Sequence, residues 1–361
     1  MRIVSTSYSK TKEINDPEVW LNRISFYTGI LEQLAKDHDV TSIERINYEG
    51  VHSRNGVIYH FLDLKQDVVR FPFRMHRIIL DLQPDVVLVN GLIFPWQVMQ
   101  LKWKLGKRVK IIVLHRAERP FQNVKRYLQI AADRYVNHYL FASSEFGEEW
   151  IRAGVVRDRN KIREIIQASS AFFPIKPNQD KASEAPVFLW VGRLDANKDP
   201  ITVLKAFTRF LSEKPSATLI MIYQTNDLLN EVKDLVRNNN LAGRSVRLQG
   251  KVPHHDMQDW YQCADFIISG SHYEGSGISV LEAMSCGCIP ILTNIASFRR
   301  MTGPGCCGLL FEPGNADSLV DALRRTPHLD IEKERSKALQ RFRSEFSFEA
   351  IASKINTLIH E

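Results

Sequence analysis

The feature that most constrains the fold of this chain is an alternation of two kinds of segment, which runs through it twice. Short runs rich in β-branched residues alternate with longer segments of helical periodicity. Because parallel strands need crossover connections, which are usually helices, this alternation predicts an α/β fold with parallel sheets covered by helices on both faces. Strands are predicted at 2–7, 40–46, 56–62, 84–90, 108–115, 138–143, 161–166, 187–194, 217–223, 245–250, 265–269, 289–293 and 308–311.

The alternation is interrupted once, which divides the chain into two domains. The interruption is the stretch FFPIKPNQDKASEAP (172–186), whose Pro and Lys residues indicate a linker. At 361 residues the chain suits two domains of ordinary size better than one core. We therefore predict two Rossmann-like, doubly wound domains over 1–174 and 175–345, followed by a helix at 346–361. The other helices are predicted at 16–37, 68–82, 94–105, 121–135, 144–153, 198–213, 226–239, 255–263, 278–286, 315–325 and 330–343.

The composition is that of an ordinary globular protein. Hydrophobic residues make up 44% of the chain and charged residues 25%, which excludes disordered and fibrous classes. The N-terminus MRIVSTSYSK lacks the apolar core of a signal peptide, and no stretch near 18 uncharged apolar residues occurs. We expect a cytoplasmic protein that is soluble or peripheral on a membrane.

The five cysteines all lie in the second half and form no C-x-x-C pair. An odd count with this spacing disfavours a disulfide framework. A zinc site built from Cys286, Cys288 and the pair at 306–307 is disfavoured too, because the spacing is not that of a zinc knuckle and no histidine accompanies it. Reduced thiols packed in the core are the expectation.

The net charge of +7 is concentrated in the first half of the chain. Residues 1–177 hold 27 of the 48 Lys and Arg but only 19 of the 41 Asp and Glu. A dense part of the excess is LKWKLGKRVK (101–110), which contains Trp103 and follows Trp96. Basic residues with interfacial tryptophans suit an anionic membrane surface or a polyanionic ligand, and a solvated helix end is the alternative. Nucleic acid is disfavoured because no finger, basic zipper or RNP-like pattern accompanies the charge.

The first candidate binding element follows the strand VFLWV in the second domain. There Gly192 and Arg193 leave the sheet, and the segment DANKDP brings Lys198 to the start of the next helix. Ligands of open α/β sheets bind beyond the carboxyl ends of the strands, and a helix N-terminus favours an anion there. Arg193 and Lys198 together would suit a diphosphate. For these two residues taken alone, an Arg and a Lys in a solvated surface loop are the alternative.

The second candidate element is YEGSGISVLEAMSCG (273–287), where a glycine-rich turn opens a helix that Gly287 ends. The turn permits close backbone approach, and the free N–H groups of the first helical turn point at whatever binds there. Glu282 lies one turn inside the helix, from where its carboxylate can accept hydrogen bonds from vicinal hydroxyls such as those of a ribose. Glu274 approaches the far end of the same ligand. The pattern predicts a nucleoside diphosphate that carries a sugar.

These segments resemble the signature blocks of retaining glycosyltransferase family four, whose fold is GT-B. The blocks are VGRLDANKDP, LQGKVPHHDMQDWYQCADFIIS and SHYEGSGISVLEAMSCGCIPILTN, with the family's E-x7-E element as Glu274 to Glu282. The resemblance covers about residues 85 to 361 and includes FSFEAIASKINTLIHE, which is similar to the family's closing helix. It implies two Rossmann-like domains that face across a cleft, an acceptor domain followed by a donor domain, with the last helix packed back on the first.

The resemblance also implies a role for each matching residue. Arg193 and Lys198 would stabilise the leaving diphosphate in place of a metal ion, Glu282 would hold the ribose, and Glu274 would contact the transferred sugar. His115, which ends the strand KIIVLH, matches a histidine that contacts the same sugar. Backbone groups of Lys251 and Val252 would recognise the base. Backbone groups at five further positions would contact the sugar and the phosphate: Gly192, Gly275, Ser276, Gly277 and Ile278.

The resemblance, together with the candidate site, implies a metal-independent hexosyltransferase with retention at the anomeric carbon and no cofactor. The donor would be a nucleoside diphosphate sugar of UDP, GDP or ADP, and the acceptor a glycan or a lipid-linked sugar in cell-surface polysaccharide or glycolipid synthesis. A nucleotide-sugar 2-epimerase of the same fold and a non-catalytic sugar-nucleotide-binding subunit are the alternatives. The sequence departs from the family in the loop TSYSKTKEINDPEVW after the first strand, which lacks the usual glycines.

Overall fold

The computed structural model describes residues 1–64, 69–174, 185–241, 245–303 and 305–361. The chain forms two compact units, one of Met1–Ser169 with Phe348–Glu361 and one of Ser170–Ser347. Of the predicted linker at 172–186, residues 175–184 lie outside the described part of the chain.

The first unit is built on a sheet in which eight strands pair in the order β3-β4-β2-β1-β5-β6-β7-β8. All neighbours are parallel except β3 and β4, which form a hairpin. The strands are β1 Arg2–Ser7, β2 Asp39–Glu44, β3 Gly50–Arg54, β4 Val57–Phe61, β5 Val86–Asn90, β6 Lys110–Leu114, β7 His138–Phe141 and β8 Ile162–Glu164.

Strand β3 was not predicted, so the expectation of a purely parallel first sheet is wrong at this edge. Asn55 and Gly56 connect β3 to β4 with φ values of 49° and 84°. An Asn-Gly pair with both residues at positive φ is typical of the two-residue hairpin turn. The sequence therefore carried a signal for this hairpin.

Six helices of the first unit lie close to the predicted ones. The predicted helix at 16–37 is two helices that meet at Ile24, and Asp16 caps the first of them by accepting from the backbone N–H of Glu18 and Val19. The six are α1 Pro17–Arg23, α2 Ser25–Leu34, α3 Phe73–Asp81, α4 Pro95–Leu105, α5 Lys125–Ala132 and α6 Ser144–Arg152.

The second unit is built on a parallel sheet in which six strands pair in the order β11-β10-β9-β12-β13-β14. Alternate residues of β9 pack into two different apolar cores: Phe188 and Trp190 belong to one core, and Leu189 belongs to a second. The sheet thus has helices packed on both faces. Its strands are β9 Val187–Gly192, β10 Thr218–Tyr223, β11 Val246–Gly250, β12 Phe266–Ser269, β13 Ile289–Thr293 and β14 Leu309–Phe311.

The helices of the second unit cover these two faces. One of them, Ala296–Thr302, was not predicted, because its seven residues are too few to show a helical period. The helices are α7 Pro200–Leu211, α8 Leu229–Asn238, α9 Met257–Cys263, α10 Ile278–Ser285, α11 Ala296–Thr302, α12 Ala316–Arg325 and α13 Ile331–Glu345.

The last helix, α14 Phe348–His360, belongs to the first unit and packs on α2. Gly29 of α2 makes the close approach possible, because a Cβ there would lie 2.5 Å from the ring of Phe348. Helix α14 buries Ile351, Ile355 and Leu358 in the same apolar core. No helix within the described ranges is both long and apolar enough to cross a membrane.

Candidate functional site

The predicted site residues of the second unit follow two neighbouring strands at one edge of its sheet. Strand β9 is bonded to β10 on one side and to β12 on the other. Strands β10 and β11 extend the sheet from β9 toward one edge, and β13 and β14 extend it from β12 toward the other edge. The position between β9 and β12 is therefore the topological switch point. In open α/β sheets this is where ligands bind. The loops 193–199 and 270–277 leave the sheet at this point.

Asn197 joins these two loops. Its side-chain oxygen accepts from the backbone N–H of Tyr273 at 3.1 Å, and its side-chain nitrogen donates to the carbonyl of Tyr273 at 3.0 Å. The carbonyl of Asn197 also accepts from the backbone N–H of His272 at 2.8 Å. Gly270 lies directly beneath, since a Cβ there would lie 3.0 Å from the carbonyl oxygen of Asp199. The two loops thus form one hydrogen-bonded unit.

The structure brings Lys198 and Glu274 together. The Lys198 ammonium donates to Oε1 of Glu274, and the side chains are only 19% and 13% exposed. The Ser271 hydroxyl donates to the same Oε1 at 2.9 Å and lies 3.1 Å from the Ser269 hydroxyl. A half-buried cation therefore lies beside a half-buried carboxylate at the switch point.

Arg193 lies on the same loop but points to a different partner. Its guanidinium forms an ion pair with Asp195 at 3.1 Å, and its side chain is 61% exposed. Asp195 in turn accepts from the backbone N–H of Lys198 at 2.9 Å. Gly192 precedes the loop, where a Cβ would lie 3.2 Å from the Trp190 ring. Arg193 is thus placed by the Lys198 loop and is free to change rotamer without unpacking a core.

The N-terminus of α10 has no side-chain cap. Gly277 occupies the N-cap position at φ 52° with no side-chain cap, so the N–H groups of Ile278 and Ser279 have no acceptor in the helix. A Cβ at Gly277 would lie 2.9 Å from the Phe298 ring, so both conformation and space require glycine. Gly275 and Ser276 are half-buried in the turn before the helix.

Glu282, one turn inside α10, is buried and already hydrogen-bonded. Its Oε1 lies 2.7 Å from His254 Nε2, and its Oε2 accepts from the Tyr261 hydroxyl at 2.8 Å. The hydrogen bond to Glu282 raises the pKa of His254 above its ordinary value, with burial opposing it. Burial raises the pKa of Tyr261 well above its usual range. Each carboxylate oxygen keeps one further acceptor position.

Sequence reasoning missed His254, Tyr261 and Asn197. His254 and Tyr261 are separated from Glu282 by a strand and a loop. Asn197 lies in the loop after β9, where the prediction rested on the charged residues Arg193 and Lys198. The pairing of His254 with Glu282 had one weak signal, a histidine in the block that resembles the family. The role of Asn197 had none, because loop-to-loop contacts leave no periodicity in the sequence.

Two further predicted residues follow β11. Lys251 is exposed, whereas Val252 is buried and packs with Met257 and Tyr261. Gly250 adopts φ 76° as the strand ends. The predicted base contact through backbone groups at these positions stays a prediction.

His115 belongs to the first unit, where it follows β6. It is 2% exposed, and its Nε2 donates to the carbonyl of Glu118 at 2.8 Å. Its Nδ1 is buried without a partner, and the ring lies 4.8 Å from that of Phe141. Burial lowers the pKa of His115 to about 4, so the imidazole is neutral near pH 7. The predicted contact of His115 with a sugar stays a prediction.

The cysteines are free thiols. Cys286, Cys288 and Cys307 are buried, whereas Cys263 and Cys306 are exposed, so the expectation of thiols packed in the core is wrong for these two. Cys288 Sγ donates to the carbonyl of Tyr261 at 2.9 Å. Burial raises the pKa of Cys286 and Cys307 to about 12. Thiols with such pKa values are unreactive near pH 7.

Two doubly wound sheets, with a candidate anion site at the switch point of the second, define the GT-B fold. Solved structures of low sequence identity confirm it. The structure of HepE from Anabaena in complex with UDP aligns over 100% of this chain and 100% of its own, with a TM-score of 0.75 at 14% identity. A glycosyltransferase from Rickettsia africae covers 99% of this chain and 97% of its own, with a TM-score of 0.75 at 17% identity.

The family match lies in the second unit. Residues 172–342 match the family model described as Glycosyl transferases group 1. A GDP-mannose:cellobiosyl-diphosphopolyprenol alpha-mannosyltransferase from Xanthomonas campestris is 28% identical over 85% of this chain and 77% of its own length. A D-inositol 3-phosphate glycosyltransferase from Streptosporangium roseum is 28% identical over 41% of this chain and 36% of its own. The matched stretch thus spans less than half of that relative.

Proposed function

We propose that the protein transfers a hexose-type sugar from a nucleoside diphosphate sugar to a hydroxyl acceptor, with retention at the anomeric carbon. The observation that carries the proposal is the pairing of Lys198 with Glu274 beside the uncapped N-terminus of α10. A cation, unpaired N–H groups and a helix dipole at one switch point favour a diphosphate. The family match of the same unit and the activities named for its relatives support this choice.

In this proposal the diphosphate binds at the first turn of α10. The N–H groups of Ile278 and Ser279 donate to it, and the Gly275–Gly277 turn leaves room for the sugar. Lys198 moves its contact from Glu274 to the phosphate, while Arg193 leaves the exposed pair with Asp195. Both cations then stabilise the charge that grows on the leaving group, which removes the need for a metal ion.

Glu282 is the proposed ribose contact. Its two oxygens accept one hydrogen bond each, from His254 and Tyr261, and this fixes the carboxylate with one acceptor position free on each oxygen. A rigid carboxylate suits a pair of vicinal hydroxyls better than a mobile one, because less side-chain entropy is lost on binding. Glu274 would then contact the transferred sugar after Lys198 has turned to the phosphate.

The chemical step follows from this arrangement. The bond between the anomeric carbon and the diphosphate oxygen breaks, and the acceptor oxygen forms the new bond on the same face. The acceptor proton passes to the leaving phosphate, so no separate general base is required. The proposal needs no cofactor.

We propose a peripheral place on the cytoplasmic face of a membrane, in cell-surface polysaccharide or glycolipid synthesis. An exposed surface of the first unit supports this. Phe71, Phe73 and Trp103 are 43%, 61% and 56% exposed. The Lys104 ammonium lies 5.5 Å from the Phe73 ring centroid, and Trp96 packs edge-on against Trp103. Exposed aromatic rings among basic side chains are typical of contacts with anionic lipid headgroups.

Thermal shift against UDP-, GDP- and ADP-sugars tests donor binding. A ligand at 100 times its Kd stabilises the protein by about 2.7 kcal/mol. Glu282→Gln keeps the volume of the side chain but removes its charge, and we expect it to abolish most of the shift. Glu231→Gln, at an exposed position of α8, is the matched control. A full shift in Glu282→Gln would remove Glu282 from the donor site.

Product analysis separates transfer from the alternatives. Incubation with the donor that binds and with a lipid or glycan acceptor should give a glycosylated acceptor with retained configuration. An epimerised sugar with free nucleotide, formed without an acceptor, would instead identify a 2-epimerase. Binding without turnover would identify a non-catalytic subunit.

A further inference from the structure

The first unit contains a cavity at the switch point of its own sheet, which the proposed donor site does not use. Strand β1 is flanked by β2 and β5, so the order of the strands reverses there. A cavity of about 210 Å³ lies beyond these strand ends. Ser7 and Asn90 line it at the ends of β1 and β5, and Glu44 lines it at the end of β2. The location matches the rule for ligand sites in open α/β sheets.

Glu44 is a buried carboxylate at this cavity. It is 9% exposed, and it accepts from the Trp20 indole N–H at 2.9 Å and from the Ser42 hydroxyl at 2.7 Å. Burial raises the pKa of Glu44, against the opposing effects of these two hydrogen bonds. Both partners are donors, so the carboxylate is held in place with one acceptor position left on each oxygen.

Arg116, the cation at the cavity, is already committed to the protein. Its guanidinium lies 4.7 Å from the Tyr27 ring centroid, and it donates to Asn90 Oδ1 at 3.1 Å and to the carbonyl of Gln167 at 3.0 Å. The remaining charged group at the cavity, Glu118, accepts from the backbone N–H of Arg116 at 2.6 Å. Two carboxylates therefore face one guanidinium whose donors are largely occupied.

Aromatic rings supply the other part of the lining, from Trp20, Phe26, Tyr27 and Phe94. Ring faces suit the apolar face of a sugar, and carboxylate, amide and hydroxyl groups suit its hydroxyls. Burial raises the pKa of both Glu44 and Glu118, so the site already disfavours negative charge. A phosphate or a carboxylate on the ligand would add a further negative charge beside them and is therefore opposed.

We propose that this cavity binds an uncharged pyranose and that Glu44 determines its specificity by accepting hydrogen bonds from the sugar hydroxyls. Calling this sugar the acceptor rests on the proposed function. The binding of the sugar does not rest on the proposed function, because every residue that lines the cavity belongs to the first unit. The absence of glycine from the loop after β1 is consistent with a cavity whose walls are side chains, since Ser7 and Ser9 both line it.

NMR of the Trp20 indole N–H provides a direct readout, because this group donates to Glu44. The full chain is titrated with the methyl α-glycosides of glucose, mannose and galactose, and separately with glucose 6-phosphate and glucuronic acid. Trp20→Phe identifies the signal. We expect at least one neutral glycoside to shift it saturably and the anionic sugars to bind at least about tenfold more weakly, which is about 1.4 kcal/mol.

Glu44→Gln tests the assigned residue. It should weaken the bound glycoside about tenfold or more while the other indole signals stay in place. The control is Glu49→Gln, whose carboxylate is exposed and paired with Arg74. Failure of all three glycosides to move the Trp20 signal, or equal binding of the anionic sugars, would overturn the proposal. The thermal shift with nucleotide sugars reports on donor binding by the second unit, whereas the Trp20 signal reports on sugar binding by the first. A failure of the proposed function and a failure of the proposed sugar site are therefore distinguishable.

Discussion

Asn197 holds the backbone of Tyr273 at both its N–H and its carbonyl, at 3.1 and 3.0 Å. The two residues belong to loops that leave adjacent strands, and the loops carry Lys198 and Glu274. The Asn197 side chain, together with the hydrogen bond from the His272 N–H to the Asn197 carbonyl, therefore fixes the relative position of the proposed phosphate contact and the proposed sugar contact. Preorganisation of this kind determines how well a site binds a developing charge.

Asn197→Ala should loosen this connection. Each hydrogen bond contributes about 0.5–1.5 kcal/mol, so loss of both should destabilise the joined loops by about 1–3 kcal/mol. We expect faster hydrogen exchange at the Tyr273 amide and weaker binding of the nucleotide sugar. Asn239→Ala removes one side-chain hydrogen bond at the exposed end of α8 and serves as the control. Unchanged exchange at Tyr273 would show that the loops hold without Asn197.

Glu274→Gln should separate phosphate binding from sugar transfer. The carboxylate is paired with Lys198, so it would compete with the proposed diphosphate for this cation. Removal of its charge should raise the affinity for a nucleoside diphosphate that lacks the sugar by about 2–5-fold, the range of a weak ion pair. The transfer rate should fall, because the proposed contact of the Glu274 carboxylate with the transferred sugar is lost.

Lys198→Ala is the counterpart and should weaken the same nucleoside diphosphate. Calorimetry gives both affinities, and single-turnover transfer gives the rate. If Glu274→Gln weakens nucleotide binding as much as Lys198→Ala does, the pair is a structural unit and Lys198 does not turn to the phosphate.

The alternation of strands and helices predicted both sheets because it reflects a local period that the sequence displays directly. The helix Ala296–Thr302 is too short to show a period, and strand β3 was hidden in a turn region although Asn55-Gly56 marked the hairpin. The first miss concerns a segment too short for a period, whereas the second concerns a local turn signal that the strand pattern alone does not include.

The site was predictable to the extent that its residues come directly after a strand. Lys198 and Glu274 were expected at one sheet edge, and the structure places them in contact. The partners of Glu282 and the cavity at Glu44 were not predicted. A buried charge at a strand end looks in sequence like any surface charge, and only the fold shows which neighbours satisfy it.

Gly277→Ala should impair both stability and donor binding. Alanine at φ 52° costs about 1–2 kcal/mol, and its Cβ would lie 2.9 Å from the Phe298 ring. Gly305→Ala is a matched control, because Gly305 has φ 75° and no atom within 4 Å of the added Cβ. We expect Gly277→Ala to lower the Tm more than the control and to lose donor affinity. Equal effects would show that α10 tolerates the displacement.

The aromatic and basic surface of the first unit should bind anionic vesicles. Cosedimentation with phosphatidylglycerol vesicles should exceed that with phosphatidylcholine and fall with salt, because each basic residue near the surface contributes about 1 kcal/mol. Phe73→Ser and Lys104→Glu should each reduce it. Lys233→Glu, an exposed site on α8, changes the net charge equally and should not. An equal loss of vesicle binding with Lys233→Glu would show that the binding depends on net charge and not on this surface.

The pair of His254 with Glu282 should make the second unit dependent on pH. The hydrogen bond to Glu282 raises the pKa of His254 above its ordinary value near 6.5. The folded protein thus binds the proton more tightly than the unfolded chain. This contribution to stability is complete below about pH 6.5 and is lost as the pH rises through the folded pKa.

NMR titration of the imidazole should give a pKa for His254 above 6.5, and Glu282→Gln should lower it toward that value. The difference in Tm between the wild type and His254→Gln should shrink as the pH rises through the measured pKa. The His254 side chain is 57% exposed, so solvent weakens the pair and the change should be small. A pKa unaltered by Glu282→Gln would show that another group holds the proton, and the fixed carboxylate proposed for ribose binding would lose its support.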